Sequence, residues 1–242
     1  MMNHFKEALW LAKFELKASI QGFLSLLLFL ALLLFIIVTA SPFIFVEGNV
    51  GLDLLVILVF GAFAVYCKPK EFQYQKVEDG LWASPYFMNL LQLPIPKKVL
   101  IQSRFIVNFV YTIPFHSFLL LFIYILSPEA RQEAPIGTYF VFSLIWICFG
   151  IFAAGLFSAS DPGDKITIVG MIIWGVVLFI VFIGGLTLFH LFTGMSLVHA
   201  TLVLASKWPL LTVVISLLLA ITSVFYWKSY MSRKIEKMDY FK

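Results

Sequence analysis

The run from Phe23 to Ala40 most constrains what this chain can fold into. Its 18 residues, FLSLLLFLALLLFIIVTA, include no charged side chain. About 20 apolar helical residues cross the roughly 30 Å hydrocarbon layer of a bilayer, so this run predicts a membrane-spanning helix. Of the 242 residues, 62% are hydrophobic and 12% are charged, whereas soluble domains carry about 25% charged residues. We therefore predict an all-α integral membrane protein with a single transmembrane domain, residues 1–242.

Six apolar runs define the predicted spans. Polar or proline-containing segments separate them, and the second run is short enough that its helix must draw on residues at either side. The interval 190–209 is too weakly apolar for a span and is left open as a loop or a re-entrant segment. No room remains for a separate catalytic domain of ~100 residues. The predicted spans are residues 23–41, 50–67, 105–126, 136–157, 166–189 and 210–227.

Residues 1–22 are predicted to form an interfacial helix that lies in the membrane plane. Apolar side chains recur on one helical face at spacings of three and four residues, with lysines and aromatic rings beside that face. A signal peptide is disfavoured because the apolar run that follows is too long and lacks a small-residue cleavage site. The residues that define the interfacial pattern are Phe5, Leu9, Trp10, Lys13, Leu16 and Lys17.

The distribution of lysine and arginine predicts the orientation. Of 17 basic residues, 15 lie in the segments 1–22, 67–104, 158–165 and 228–242. The remaining two, Arg131 and Lys207, lie in the loops that alternate with those segments. Such asymmetry indicates that both termini are cytosolic. The net charge of +4 is then a consequence of topology, and no nucleic-acid partner is predicted.

Ionisable residues in or near the spans are the candidates for substrate contact. We expect Asp53 to be a solvated carboxylate at the outer mouth of the second span, with substrate handling as the alternative. His190 and His199 are expected at the outer interface, and His116 faces either the bundle or a packing partner. Because neither HxxxH nor HExxH occurs, no metal-binding, cofactor-binding or catalytic residue is predicted.

The remaining span residues predict packing. Cys67 and Cys148 are expected to be packing residues or free thiols, since two cysteines make no disulfide framework. The cores of spans one, four, five and six lack ionisable residues, which disfavours a proton-coupled carrier. Small residues permit close approach of helices. The glycines expected to do so are Gly150, Gly155, Gly170, Gly175, Gly184 and Gly185.

The stretch from Val77 to Arg104 is the longest interval without a membrane-length apolar run. Pro94 and Pro96 enforce an extended entry, after which the chain can begin a helix that leads into span three. We predict that this segment is cytosolic and is a contact surface for a partner. The predicted contact residues are Leu93, Pro94, Ile95, Pro96, Lys97, Lys98 and Ile101.

This stretch resembles the permeases of ABC-2 type transporters. In that family an acidic residue and a glycine precede a Leu-Leu pair, a Leu-Pro-Ile/Val step and a basic residue. Here these features are Glu78-Asp79-Gly80, Leu90-Leu91, Leu93-Pro94-Ile95 and Lys97-Lys98. The resemblance covers the whole length, with residues 1–22 as the elbow helix and residues 68–104 as the coupling segment. Departures from the pattern are a longer interval between the glycine and the proline, and Pro96 where a Ser or Thr cap is common.

The resemblance implies a type V exporter-like permease in a bacterial plasma membrane. Two copies, or one copy and a related chain, would enclose a pathway, and each would dock a cytosolic ATPase that binds ATP and Mg. The chain itself has no GxxxxGK[ST], so it is expected to be a permease and not an enzyme. Its phenylalanine-rich spans favour an amphipathic or hydrophobic cargo, such as a peptide toxin or antimicrobial peptide. The alternatives are a non-transporting scaffold or sensor subunit and a secondary carrier.

Overall fold

The computed structural model describes residues 2–78 and 80–237. The fold is nearly all-α, as predicted, and the helices succeed one another with short connections. In chain order they are α1 (Met2–Ala18), α2 (Ile20–Thr39), α3 (Val50–Leu58), α4 (Ala64–Tyr66), α5 (Pro85–Leu91), α6 (Lys97–Leu126), α7 (Pro128–Glu133), α8 (Ile136–Ser160), α9 (Ile168–Thr193), α10 (Leu197–Lys207) and α11 (Pro209–Lys237).

Five of these helices, α2, α6, α8, α9 and α11, are long and apolar enough to cross a membrane. Each corresponds to one of the predicted spans. The second predicted span is the shorter helical segment Val50–Tyr66, in which a π-helical turn, Val59–Phe63, joins α3 to α4. At ~1.5 Å per residue this segment is about 26 Å long. The basic segment 228–242 is helical as far as Lys237, because α11 continues beyond its apolar part, and residues 238–242 lie outside the described residues.

The connections between the helices collect at two ends of the bundle. At the first, here called the basic end (residues 67–78, 80–98, 161–167 and 228–237), the Ser84 N–H donates to the Asp161 carbonyl at 3.1 Å and Lys234 pairs with Asp164 at 2.7 Å. At the second, the far end (residues 40–53, 127–135 and 190–208), Ser41 Oγ donates to the Glu129 carboxylate at 2.7 Å. These contacts hold the loops of each end together.

A small antiparallel sheet at the basic end was not predicted. Its strands are β1 (Gln75–Glu78), β2 (Leu81–Ala83) and β3 (Asp164–Lys165), in the spatial order β1-β2-β3. Gly163 allows the turn after α8 to approach β2, because it has a φ of +99° and a Cβ there would lie 2.6 Å from the Ala83 Cβ. The sheet thus fastens the chain after α4 to the chain after α8.

Helix α1 exists where the sequence predicts one, but its protein-facing side differs from the predicted apolar face. The helix packs against α6, and α2 begins at Ile20, before the predicted start of the first span. The buried residues of this region are Ala8, Leu11, Ala12, Glu15 and Ser19. Of the predicted interfacial residues, Leu16 is half-buried, and those that are exposed are Phe5, Leu9, Trp10, Lys13 and Lys17.

The glycines of the helices divide into two groups. A Cβ on Gly150 would lie 2.3 Å from His116 Nδ1, and a Cβ on Gly155 would lie 2.8 Å from the Trp227 ring, so both permit close packing around α8. The prediction is wrong for three glycines of α9, since nothing among the described residues lies within 4 Å of a Cβ built at Gly175, Gly184 or Gly185.

Among the residues that the structure describes, Gly170 of α9 also lacks a close contact with another helix, whereas the two cysteines are buried. The nearest atom to a Cβ at Gly170 is Thr167 Oγ1, in the cap of its own helix. Helix α9 lies open, with Leu186 as its one buried residue in the described chain. Cys67 and Cys148 are free and buried, which confirms their prediction as packing residues or free thiols. Close packing at glycine is therefore found on α2, at Gly22, and on α8, and the described chain shows none of it on α9.

We predict that Gly150→Ala destabilises the fold by about 1–3 kcal/mol, because the added methyl group meets a buried imidazole that has no room to move. Gly175→Ala is the matched control in open space, where alanine favours a helix over glycine by roughly 0.5–1 kcal/mol. Thermal unfolding in detergent, followed by tryptophan fluorescence, measures both. Equal melting temperatures for the two variants would contradict the packing of His116 on α8.

Candidate functional site

Three charged residues from three parts of the chain meet in the interior at the basic end. Arg104 of α6 is 0% exposed. Its Nε donates to Asp161 Oδ2 at 2.6 Å and its Nη1 pairs with the carboxylate of Glu15. Asp161 directly follows α8, and Glu15 belongs to α1. One guanidinium therefore ties α1, α6 and the end of α8 together.

Local sequence explains how each of these residues reaches the interior. Ala8, Leu11, Ala12 and Glu15 recur at spacings of three and four, which places the carboxylate on the side of α1 that faces α6. Arg104 lies close to the C-terminal end of α8, where the helix dipole favours a cation. Small side chains on α1 thus bring its backbone near α6 and leave room for the ion pair.

A second polar chain runs beside the first. Lys68, just after α4, donates from Nζ to Asn108 Oδ1, and Asn108 Nδ2 in turn donates to Ser158 Oγ. Ser158 Oγ donates to the Ala154 carbonyl at 2.9 Å. Burial and, to a smaller extent, the charge of Arg104 lower the pKa of Lys68 to about 8, although the carboxylates of Asp161 and Glu15 oppose the shift. Together, Glu15, Lys68, Arg104 and Asp161 form what we call the charge cluster.

The charge cluster contains two cations and two anions, so its formal charge is zero when all four are ionised. Buried ions are tolerated where they are paired and hydrogen-bonded. Aromatic rings complete the surroundings, with Arg104 5.8 Å from the Tyr86 ring and Lys68 5.9 Å from the Tyr111 ring. Several neighbouring polar atoms have no partner among the described residues. These are Ser19 Oγ, Ser84 Oγ, Tyr86 Oη and Tyr111 Oη.

The predicted partner contact lies at the same end as the charge cluster. Helix α6 begins at Lys97, directly after Pro96, and continues without interruption into the third span. Along α6, Lys98 and Arg104 are about 9 Å apart at ~1.5 Å per residue. Ile101 is buried against Leu11 and Phe87 and presents no surface to a partner. Of the other predicted contact residues, Ile95 is half-buried, and those that are exposed are Leu93, Pro94, Pro96, Lys97 and Lys98.

Asp53 organises the far end. Its carboxylate accepts from the backbone N–H of Leu197 at 2.6 Å and of Val198 at 3.0 Å, which are the first residues of α10. The expectation of a solvated carboxylate is wrong, because Asp53 is 3% exposed. A carboxylate at a helix N-terminus satisfies backbone donors and complements the helix dipole. The interval 190–209 is therefore neither a plain loop nor a span, since it contains a short helix docked onto the second span.

The three histidines occupy different places. His199 Nδ1 lies 3.3 Å from the Phe45 carbonyl, beside the Asp53 contact. His190 is in the last turn of α9, close to the loop that leads to α10. His116 is buried in α6, with ring centroids of Phe60 and Phe115 at 4.6 and 5.6 Å. Neither of its ring nitrogens has a partner among the described residues, so the packing alternative describes its surroundings.

The sequence interpretation missed the charge cluster. On the sequence alone, Lys68 and Arg104 count only among the basic residues of the segment 67–104. The one local signal for the cluster was Glu15, an acidic residue in register with the alanines of α1. In the part of the chain that the structure describes, no three His, Cys, Asp or Glu residues are grouped so as to hold a metal ion.

Comparison with protein-family models, with curated proteins and with solved structures found no match for this chain.

We predict that Arg104→Met lowers the free energy of unfolding by about 3–5 kcal/mol, because it leaves two buried carboxylates without a counter-charge. Lys98→Met, on the exposed turn, is the control and should change it by no more than about 0.5 kcal/mol. Adding Glu15→Gln and Asp161→Asn to Arg104→Met should recover part of the loss. Denaturant unfolding in detergent measures these differences, and a stable single variant would show that the cluster does not hold the helices.

Proposed function

We propose that this chain is the transmembrane permease subunit of an ATP-driven exporter of the ABC-2 type, with ATP hydrolysis on a separate cytosolic subunit. The observation that carries the proposal is the exposed turn Leu93–Lys98 and its direct continuation into α6. Such a turn offers a partner apolar and basic side chains on a rigid support. The resemblance of its sequence to the coupling segment of ABC-2 permeases supports the same assignment.

The ends of the segment Val50–Tyr66 support a six-span topology. Asp53, near its start, contacts α10 at the far end. At its other end the carbonyl of Cys67 accepts from Ser25 Oγ, near the start of α2, at 3.1 Å. Both ends of the described chain then lie at the basic end, in agreement with the distribution of basic residues. The exposed aromatic residues of α1 suit an elbow helix at the cytosolic interface.

A push on the exposed turn would be carried into the bundle through α6. Because Arg104 connects α6 to α1 and to the end of α8, these three elements would move together. Helix α8 packs in turn against α11, which extends the movement across the bundle. We propose that ATPase dimerisation drives this movement in two associated permease copies, as homodimer or heterodimer.

An apolar cavity of about 400 Å³ supports a hydrophobic or amphipathic cargo. It lies between α3, α8, α9 and α10. Trp146 Nε1, 3.3 Å from Thr201 Oγ1, supplies a polar contact within it. Other residues that line the cavity are Ile57, Phe149, Val181, Phe182 and Leu186. The composition of this wall is compatible with a toxin or antimicrobial peptide in a bacterial plasma membrane.

We predict that replacing Leu93–Lys98 with glycine and serine abolishes co-purification of the partner ATPase and reduces ATP-dependent export from vesicles at least tenfold. The reason is loss of the apolar and basic surface on which the ATPase would dock. Gln132→Ser with Glu133→Ser, exposed at the far end, is the matched control and should leave both readouts unchanged. Unchanged ATPase binding by the turn variant would refute the docking assignment.

The same vesicles separate the alternative functions. A scaffold or sensor subunit would bind the ATPase without any export that depends on this chain. A secondary carrier would stop when a proton uncoupler is added. For the exporter we expect transport that survives the uncoupler and ends on ATP depletion.

A further inference from the structure

A second cavity, of about 290 Å³, opens at the basic end beside the charge cluster. Its walls come from the segment that follows α4 and from the last turn of α8 with the turn beyond it. Helices α4 and α8 end here, and the ends of membrane-spanning helices are where headgroups are expected. The cavity is distinct from the exposed turn Leu93–Lys98, which contributes no residue to its lining.

The two sides of this cavity differ in chemistry. One side is apolar and includes Leu156 and Phe157, with Tyr66 stacked edge-on against the Phe157 ring at 5.7 Å. The other side is polar and includes Lys68 and Tyr74. A ligand that fits both sides has a polar head and an apolar body.

The charged residues on the polar side indicate whether the polar head of the ligand is anionic or cationic. Each carboxylate that lines the cavity contacts a cation, since Asp164 pairs with Lys234 at 2.7 Å and Asp161 shares the Arg104 guanidinium with Glu15. The ammonium group of Lys68 has three N–H donors, and among the described residues it donates a hydrogen bond to Asn108. Donors on a nearly buried cation thus remain available, and they favour an anionic oxygen.

We propose that this cavity binds the phosphate of a membrane phospholipid, with Lys68 as donor and with Leu156 and Phe157 against the first part of the acyl chains. The ligand belongs to the leaflet on the basic side and is not the transported cargo. Its binding would complete the hydrogen bonds of Lys68 and connect the segment after α4 to α8. The inference stands on the cavity and its charges and does not depend on the exporter assignment.

The test uses the purified full chain in a mild detergent, with phosphatidylglycerol as the probe, and with diacylglycerol and inorganic phosphate as comparison ligands. A ligand that binds the folded state raises the melting temperature. We expect phosphatidylglycerol to raise it and to remain bound in native mass spectrometry, and diacylglycerol, which lacks phosphate, to do neither. Stabilisation by inorganic phosphate equal to that by the phospholipid would overturn the lipid assignment and leave a site for free phosphate.

Three variants test whether the phospholipid binds in this cavity through Lys68. Lys68→Gln should weaken phospholipid binding at least about tenfold, since it removes the charged donor to the phosphate. Lys70→Gln, exposed and close by in sequence, is the matched control and should bind as the parent does. Wild-type affinity in Lys68→Gln, or an equal loss in Lys70→Gln, would overturn the site. If Lys68→Gln fails to fold, Ser160→Leu narrows the cavity and keeps the charge, so undiminished lipid retention in that variant would overturn the site.

Discussion

A guanidinium removed from water must find its counter-charges where it lies, and Arg104 finds both of its carboxylates on other elements of the fold. Taking any of the three charges out of water is unfavourable by several kcal/mol, and their mutual attraction compensates only when the geometry is kept. Separation of α1 from α6, or of the α8 end from either, would expose an unpaired ion to an apolar interior. The arrangement of the basic end therefore depends on Arg104.

The packing of the helices also depends on close contacts inside the protein. Alanines on α1 and glycines on α8 let backbones approach, and the space they leave is filled by large side chains of α6 and α11, such as His116 and Trp227. In lipid, apolar surface alone does not drive helices together. Close packing and hydrogen bonds within the protein hold them together instead. In the described chain, helix α9 has neither buried small residues nor buried polar bonds, and most of its side chains are exposed. The difference between the compact part and α9 thus comes from where small residues face a neighbour and where they do not.

The sequence was sufficient for the five long helices because each is an apolar run long enough to cross a bilayer. It was insufficient for the charge cluster, since Arg104 and Glu15 are 89 positions apart and no local period records their pairing. The distribution of basic residues places Lys68 in a cytosolic segment, whereas its hydrogen bond to Asn108 holds it in the interior. Asp53 was misread for a similar reason, because its partners are backbone N–H groups of a helix that is distant in sequence. The strands β2 and β3 are too short to show an alternating pattern.

The polar contacts hold the helices more firmly at the basic end of the bundle than at the far end. At the basic end, α1, α6 and α8 are joined by buried ion pairs, and the small sheet adds backbone bonds between the chain after α4 and the chain after α8. At the far end, Asp53 holds the short helix α10 through two backbone bonds. Between them lies an apolar middle whose buried His116 has no hydrogen-bond partner in the described residues. In the proposed permease, force applied near Lys98 would meet the stiffer end first and would reach α10 through helices that transmit it as rigid bodies. The opening of the far end would then be limited by the two bonds that Asp53 makes.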